Sequence, residues 1–321
     1  MAQVYSRIVG TGGYLPERVL TNADLENMLD TSDEWIRERT GIERRHIVRP
    51  DETTVDMSEH AARAALAAAG VAATEVDLTI VGTCTPDLVF PNPGTLLQQR
   101  LGNLGGPAFS VEAACTGFIY ALSIADKFIR CGESKCALVI GAESLSRITD
   151  YSDRSTAILF GDGAGAVVLK PDSRQGVLST HLHADGTGVP LLRATGGVAK
   201  GHDPAGDRII MAGNEVFRAA VTMLGRAVDE ALAANHLERA AIDWLVPHQA
   251  NIRIIKAMAK RLDMSMERVI VTIQEHGNTS TASVPLALDV GVRDGRIKPG
   301  QLLLLEAFGG GFTWGSALVR L

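Results

Sequence analysis

Three short segments of the chain place a cysteine, a histidine and an asparagine at breaks between apolar runs: Ala113-Ala114-Cys115-Thr116-Gly117, Pro247-His248-Gln249-Ala250-Asn251 and His276-Gly277-Asn278-Thr279-Ser280. Together they supply a nucleophile and two polar partners. Cys115 follows a strand-like stretch, residues 107–112, and precedes residues 116–129, whose apolar positions recur at helical spacing. The pattern predicts a cysteine at the start of a helix. There, unpaired N–H groups and the positive end of the macrodipole favour thiolate over thiol. Each residue alone also fits a plainer role: a buried core cysteine, a structural histidine, an asparagine in a turn after Gly277. The coincidence of all three motifs favours catalysis.

The elements that must position these residues belong to an ordinary globular chain of 321 residues, 46% hydrophobic and without low-complexity segments. A formal net charge of −6 argues against nucleic acid as a partner, since that needs a dominant basic face. Cys84, Cys115, Cys131 and Cys136 form no Cys-x-x-Cys pair, so free thiols are expected rather than disulfides or a zinc site. His181, His183 and His202 raise the question of a metal, but no carboxylate or cysteine spacing supports one, and none is expected. These three and the remaining histidines, His46, His60, His236 and His276, read as residues of polar loops or helix surfaces. Residues 1–10 run directly into a strand pattern without a charged leader, and no stretch approaches membrane-spanning length. The expectation is a cytoplasmic protein with no membrane partner.

The chain repeats itself. Residues 65–81 align without a gap onto residues 231–247, each reading helix, turn, buried strand, and residues 115–143 parallel residues 280–307 in the same way. Residues 137–140 and 302–305 are apolar at every position, as expected of central strands covered on both faces. The fold class is therefore α/β. Two βα halves, 1–172 and 173–321, joined near residues 170–176, would form a layered α/β/α/β/α body around buried helices. The alignment sets Cys115 and Ser280 at equivalent helix ends facing the middle. Gly161-Asp162-Gly163-Ala164-Gly165-Ala166 looks like a nucleotide loop, but a strand-like run follows it, whereas a dinucleotide fingerprint opens a helix. Close packing beside the site is the better reading.

The motifs around Cys115, His248 and Asn278, with Glu306-Ala307-Phe308-Gly309-Gly310-Gly311-Phe312-Thr313-Trp314-Gly315, closely resemble those of the β-ketoacyl-acyl carrier protein synthase III family, thiolase-like condensing enzymes. Residues 31–36 with 39–42, and residues 161–166, look like two further signatures, and the likeness covers essentially the whole chain. The resemblance implies a decarboxylative condensation of a short acyl-coenzyme A, acetyl-coenzyme A first among them, with malonyl-acyl carrier protein, initiating type II fatty acid synthesis. Cys115 would carry the acyl group, His248 and Asn278 would stabilise the oxygen of the decarboxylating thioester, and backbone N–H groups of Cys115 and Gly310 would form the oxyanion hole. Coenzyme A enters as a substrate, and no cofactor is implied.

The resemblance also assigns coenzyme A contacts to Thr31, Trp35, Arg39, Arg154, Asn214, Phe217, Ala250 and Asn251, and the acyl pocket to Phe90, Leu145, Phe160 and Ile209. Phe90 is expected to reach into the second copy of a homodimer. Residues 252–262 read as a helix with Ile255, Met258, Ala259 and Leu262 on one side and Arg253, Lys256 and Lys260 on the other. This basic stripe begins just beyond Asn251 of the histidine motif. It is expected, with Gln249, Ala250, Asn251 and Ile252, to dock the acidic carrier protein. Two other readings stay open at this point: a relative that transfers an acyl chain in secondary metabolism without malonyl decarboxylation, and a non-catalytic acyl-binding partner subunit, against which the intact Cys115, His248 and Asn278 argue.

Overall fold

The computed structural model describes residues 4–321; residues 1–3 of the opening strand pattern lie outside the described residues. The first half runs β1 (Tyr5–Tyr14), β2 (Arg18–Thr21), α1 (Asn22–Glu26), α2 (Asp33–Thr40), β3 (Arg44–Ile47), α3 (Thr54–Ala69), β4 (Leu78–Gly82), α4 (Pro93–Leu101), β5 (Ala108–Val111), α5 (Gly117–Arg130), β6 (Ala137–Glu143), α6 (Arg154–Ala157) and β7 (Gly163–Asp172). The second runs β8 (Val177–Ala184), β9 (Leu192–Ala194), β10 (Ile209–Met211), α7 (Gly213–Ala234), β11 (Trp244–Pro247), α8 (Ile252–Arg261), α9 (Ile273–His276), α10 (Ser283–Arg293), β12 (Leu302–Gly309) and β13 (Thr313–Arg320).

The principal sheets have the orders β1-β7-β6-β4-β5 and β11-β12-β13-β8. Within them β4 runs parallel to β5 and β6, and β11 parallel to β12, so each of these pairs needs a helical crossover. The second sheet lacks a full counterpart of β5. In its place the chain makes a single bridge, Val269 against Leu245, with the Ile270 N–H donating to the Leu245 carbonyl at 2.9 Å.

Every position of β6 and β12 is buried, because both strands are covered on two faces. Their alternating side chains divide the core into layers. Val139, Leu303 and Leu305 point between the sheets, where they pack on Phe118, Ile119 and Leu122 of α5 and on Val284 and Leu288 of α10. Leu138 and Ile140 meet Met57, Ala61 and Leu97 under α3 and α4, and Leu302 and Leu304 meet Leu224, Val228, Ile255 and Met258 under α7 and α8. The result is the thiolase-like α/β/α/β/α stack that the repeat demands. Gly163 begins β7, so the glycine-rich run opens a strand and not a helix.

Two sequence expectations are corrected. Lys170, Pro171 and Asp172 do not join the halves, because they still pair with Arg7, Ser6 and Tyr5 of β1. The helix ends also match with a shift of one residue. A 3₁₀ turn, Ala114–Thr116, leads into α5 and another, Ser280–Ala282, into α10, and each begins with a left-handed residue, Ala114 (φ 45°) and Ser280 (φ 47°). Ala114 is thus the equivalent of Ser280, and Cys115 of Thr281. The stretch from the start of the turn to the start of the following strand is one residue shorter in the second half, Ser280 to Leu302 against Ala114 to Ala137, which hid the shift.

A glycine lets these turns approach the sheet. A Cβ on Gly141 of β6 would lie 2.3 Å from the Thr281 carbonyl oxygen. Overpacking of this kind typically costs about 1–3 kcal/mol. Gly141→Ala is therefore expected to lower stability to denaturant by that amount and to depress activity; an unchanged midpoint in a urea titration would show that the turn has room to retreat.

Candidate active site

The two 3₁₀ turns meet over β6: Thr281 Oγ1 lies 2.8 Å from the Ala114 carbonyl oxygen, and Ser280 Oγ lies 3.3 Å from Cys115 Sγ. Surface helices here carry side-chain caps, Thr53 on α3 and Asn251 on α8, but α5 and α10 have none. The 3₁₀ turns take their place: the Gly117 N–H donates to the Ala114 carbonyl and the Ser283 N–H to the Ser280 carbonyl. Cys115 stands in the turn before α5 and not in the helix itself, with its own N–H and that of Gly310 directed at the sulfur. Gly309 permits this closeness, since a Cβ there would sit 2.6 Å from the Cys115 nitrogen.

The junction opens into a cavity of about 520 Å³ lined by Cys115, His248, Asn278, Ser280 and Gly310. His248 follows β11, its N–H donating to the Glu306 carbonyl at 2.8 Å, and its Nδ1 sits 2.6 Å from Ser283 Oγ. Nε2 is the nitrogen left free. Asn278 is held by backbone bonds to both sides of Phe160, its N–H donating to Leu159 and its carbonyl accepting from Gly161. Its Oδ1 accepts the Ser280 N–H at 2.9 Å, which leaves the Nδ2 hydrogens for a ligand.

Burial governs the charges. It pushes the Cys115 thiol up to about 11, helped by the Glu143 carboxylate, while the Ser280 hydroxyl and the Cys115 and Gly310 N–H groups pull the other way. The thiolate expected of a helix start is therefore not the resting form. Burial also lowers His248 to about 3, so its ring is neutral at physiological pH.

Most of the residues assigned to binding line the same cavity: Trp35, Arg39, Asn214, Phe217, Ala250 and Asn251 toward its mouth, and Leu145, Phe160 and Ile209 in its wall. Arg154 reaches its edge, with its guanidinium 4.7 Å from the Trp35 ring centre and that of Arg39 5.4 Å from the same ring. Thr31 does not line the cavity. Asn251 lines it, but its amide already caps α8 and donates to the Arg39 carbonyl at 3.0 Å. Phe90 is 83% exposed and forms no part of this chain's own pocket.

On α8, Arg253, Lys256 and Lys260 are exposed, and Arg253 packs over Phe217. Gln249 is not a docking residue: it is fully buried, donating to Pro247 and Ile270 carbonyls and accepting the Thr272 and Ile273 N–H groups. Ile252 is half-buried beneath Gly41. Nor do the histidines fit the loop reading throughout. His181 and His183 lie on β8 facing Glu230 and His276 is buried, whereas His202 stands in an exposed loop against Asp207.

Sequence reasoning missed Ser283, Glu143 and Glu306. Glu143 is fully buried at the end of β6, among Thr83, Thr85, Ser280 and Thr281. Glu306 is buried with both carboxylate oxygens unpartnered, and burial raises it to about 8. A usable signal was the hydroxyl-rich run Thr279-Ser280-Thr281 with Ser283, immediately after Asn278.

Residues 109–186 match the family described as 3-oxoacyl-[acyl-carrier-protein] synthase III, and residues 232–321 match its C-terminal part. Beta-ketoacyl-[acyl-carrier-protein] synthase III of Thioalkalivibrio sulfidiphilus is 61% identical over 98% of this chain and 99% of its own, and that of Xanthomonas campestris pv. campestris is 62% identical over 99% of each. Among solved structures, 3-oxoacyl-[acyl-carrier-protein] synthase III from Aquifex aeolicus superposes with a TM-score of 0.93 at 46% identity, covering 98% of this chain and 100% of that one. The priming β-ketosynthase of the R1128 polyketide biosynthetic pathway gives 0.94 at 38%, covering 98% and 96%. With the cysteine, histidine and asparagine motifs at one cavity and these likenesses spanning the chain, it belongs to the 3-oxoacyl-[acyl-carrier-protein] synthase III family of condensing enzymes.

Proposed function

We propose that this enzyme loads a short acyl group, acetyl in the first instance, from coenzyme A onto Cys115 and condenses it with malonyl-acyl carrier protein, releasing carbon dioxide and starting type II fatty acid synthesis. The observation that carries the reading is the convergence of Cys115 with a neutral His248 and with Asn278, whose Oδ1 is already occupied, at one largely apolar cavity. In the first half-reaction Cys115 Sγ attacks the thioester carbonyl and coenzyme A leaves. The tetrahedral oxyanion meets the N–H groups of Cys115 and Gly310, fixed before the substrate arrives.

In the second half-reaction malonyl thioester loses carbon dioxide, and negative charge develops on the thioester oxygen. Asn278 Nδ2 donates to it. His248 Nε2 donates too when Ser283 gives its hydroxyl hydrogen to Nδ1, the tautomer that a neutral ring with a hydroxyl partner permits. The carbanion then attacks acyl-Cys115. Trp35 with Arg39 and Arg154 is suited to the adenine end of coenzyme A by stacking and charge. The exposed cations of α8 suit an acidic carrier protein.

A homodimer fits two exposed features of the same edge: Leu88, Val89 and Phe90 stand 50%, 69% and 83% exposed, and β5 has a strand on one side only. The reaction is read as cytoplasmic; among the described residues no helix is long and apolar enough to cross a membrane. The likeness to a polyketide priming synthase keeps a second pathway in view, with the same chemistry and a different product. Carbon dioxide release from malonyl-acyl carrier protein, measured with a panel of acyl-coenzyme A primers and identification of the product, tests the proposal.

His248→Ala and Asn278→Ala are each expected to lose condensation by about 10²- to 10³-fold, while acyl-enzyme still forms and accumulates. Rapid-quench detection of both species reads this directly, and an Asn278→Ala enzyme that condenses at full rate would contradict the assignment. Reversing charge at Arg253 and Lys256 should weaken use of malonyl-acyl carrier protein, and blunt its salt dependence, while self-acylation from acyl-coenzyme A is little changed. Equal losses in both half-reactions would point instead to damage at the neighbouring histidine motif.

A further inference from the structure

A thiol held near 11 is ionised in only ~1 molecule in 10⁴ at pH 7. Loading it therefore needs a group that takes the proton as sulfur attacks. His248 is poorly placed for this, since Ser283 occupies its Nδ1 and burial depresses its basicity. Ser280 Oγ, by contrast, lies between Cys115 Sγ at 3.3 Å and Glu143 Oε1 at 3.4 Å. These are long bonds, of the kind that tighten when substrate binds.

Glu143 is fully buried and is held by hydroxyl and N–H donors, not by a cation. Oε1 accepts Thr281 Oγ1 at 2.5 Å; Oε2 accepts Thr85 Oγ1 at 2.7 Å, the Cys84 N–H at 3.2 Å and Thr83 Oγ1 at 3.3 Å. The titratable groups facing it are the Cys84 thiol, 3.3 Å from both oxygens, and the Cys115 thiol across Ser280, with Glu112 adding negative charge toward Cys84. Burial raises its pKa above the usual carboxylate value, the direction that suits a base. The hydroxyl between the two is held at a cost: Ser280 is a left-handed non-glycine residue, a strained conformation, kept in place by the Asn278 side chain.

We propose that Glu143, acting through Ser280 Oγ, accepts the Cys115 proton during acyl loading. The proposal rests on Cys115 being the acyl acceptor. As the C–S bond to Cys115 forms, the thiol proton passes to Ser280 Oγ and the Ser280 hydroxyl proton passes to Glu143 Oε1. As the C–S bond to coenzyme A breaks, the same two protons return and coenzyme A leaves as the thiol. Glu143 is again a carboxylate. In the later condensation Cys115 departs as thiolate and recovers a proton from solvent, so the relay belongs to the first half-reaction alone.

The test is single-turnover acylation of the full-length enzyme by acetyl-coenzyme A without malonyl-acyl carrier protein, followed across pH by rapid quench and intact mass. Ser280→Ala and Glu143→Gln should each acylate about 10²-fold more slowly or worse than wild type. The wild-type rate should rise with pH through the ionisation of Glu143, and Glu143→Gln should lose that limb. Acyl-enzyme of Ser280→Ala, formed by long incubation and then mixed with malonyl-acyl carrier protein, should condense within about threefold of wild type, a split that a merely structural role would not give. Wild-type acylation rates in both variants overturn the relay, as do equal losses in both half-reactions or a loss of acylation in His248→Ala alone. Absence of acyl-enzyme in the wild type would instead overturn the underlying reading of Cys115.

Discussion

The active site depends on the close approach of two uncapped helix starts. Thr281 Oγ1 lies against the Ala114 carbonyl, Ser280 Oγ reaches Cys115, and both hydroxyls face the Glu143 carboxylate. The glycines of β4 and β6 make room for this contact: a Cβ on Gly82 would sit 2.9 Å from the Thr281 methyl, as one on Gly141 would strike its carbonyl. Duplication of the βα unit is what places a second helix start opposite the first. One copy then supplies the sulfur and the other supplies Asn278 and the hydroxyls.

Bringing these groups together out of water sets their charges. Desolvation raises Cys115, Glu143 and Glu306 and lowers His248, so in each case the neutral form gains. A neutral thiol and a neutral imidazole suit the proposed reaction, in which the site must first wait for one acyl donor and then for another. In that reading charge appears only when a thioester carbonyl is in place to receive it, and the donors proposed to meet it are already fixed: the N–H groups of Cys115 and Gly310, and the amide of Asn278 locked through Ser280. Preorganised donors of this kind need no reorganisation during the reaction.

The layered α/β fold was readable in the sequence because its signals are local and repeated. Residues 137–140 and 302–305 are apolar at every position, and the same helix-turn-strand grammar occurs twice, so the layers follow from burial alone. The site was readable where residue type carries the chemistry, at Cys115, His248 and Asn278. It was obscure where function depends on which atom faces which. Gln249 is polar and sits in the histidine motif, yet it is consumed by four backbone groups in the interior. Ser280 and Ser283 look like ordinary turn and helix hydroxyls until Sγ and Nδ1 are found beside them. The one-residue shift between the halves was hidden for a similar reason, since apolar periodicity does not record a left-handed backbone at Ala114 and Ser280. Nor does it report that burial would outweigh a helix start at Cys115.

Cys115 is the residue proposed to hold the acyl group between the two half-reactions, although a second thiol, Cys84, lines the same cavity. Peptide mass mapping of the enzyme after brief exposure to acetyl-coenzyme A alone, with free coenzyme A quantified in the same quench, addresses this directly. The expected result is one acetyl group on the peptide carrying Cys115, matched by one equivalent of coenzyme A and absent from Cys115→Ala. Acetylation on Cys84, or steady condensation by a protein whose Cys115 never carries an acyl group, would contradict it.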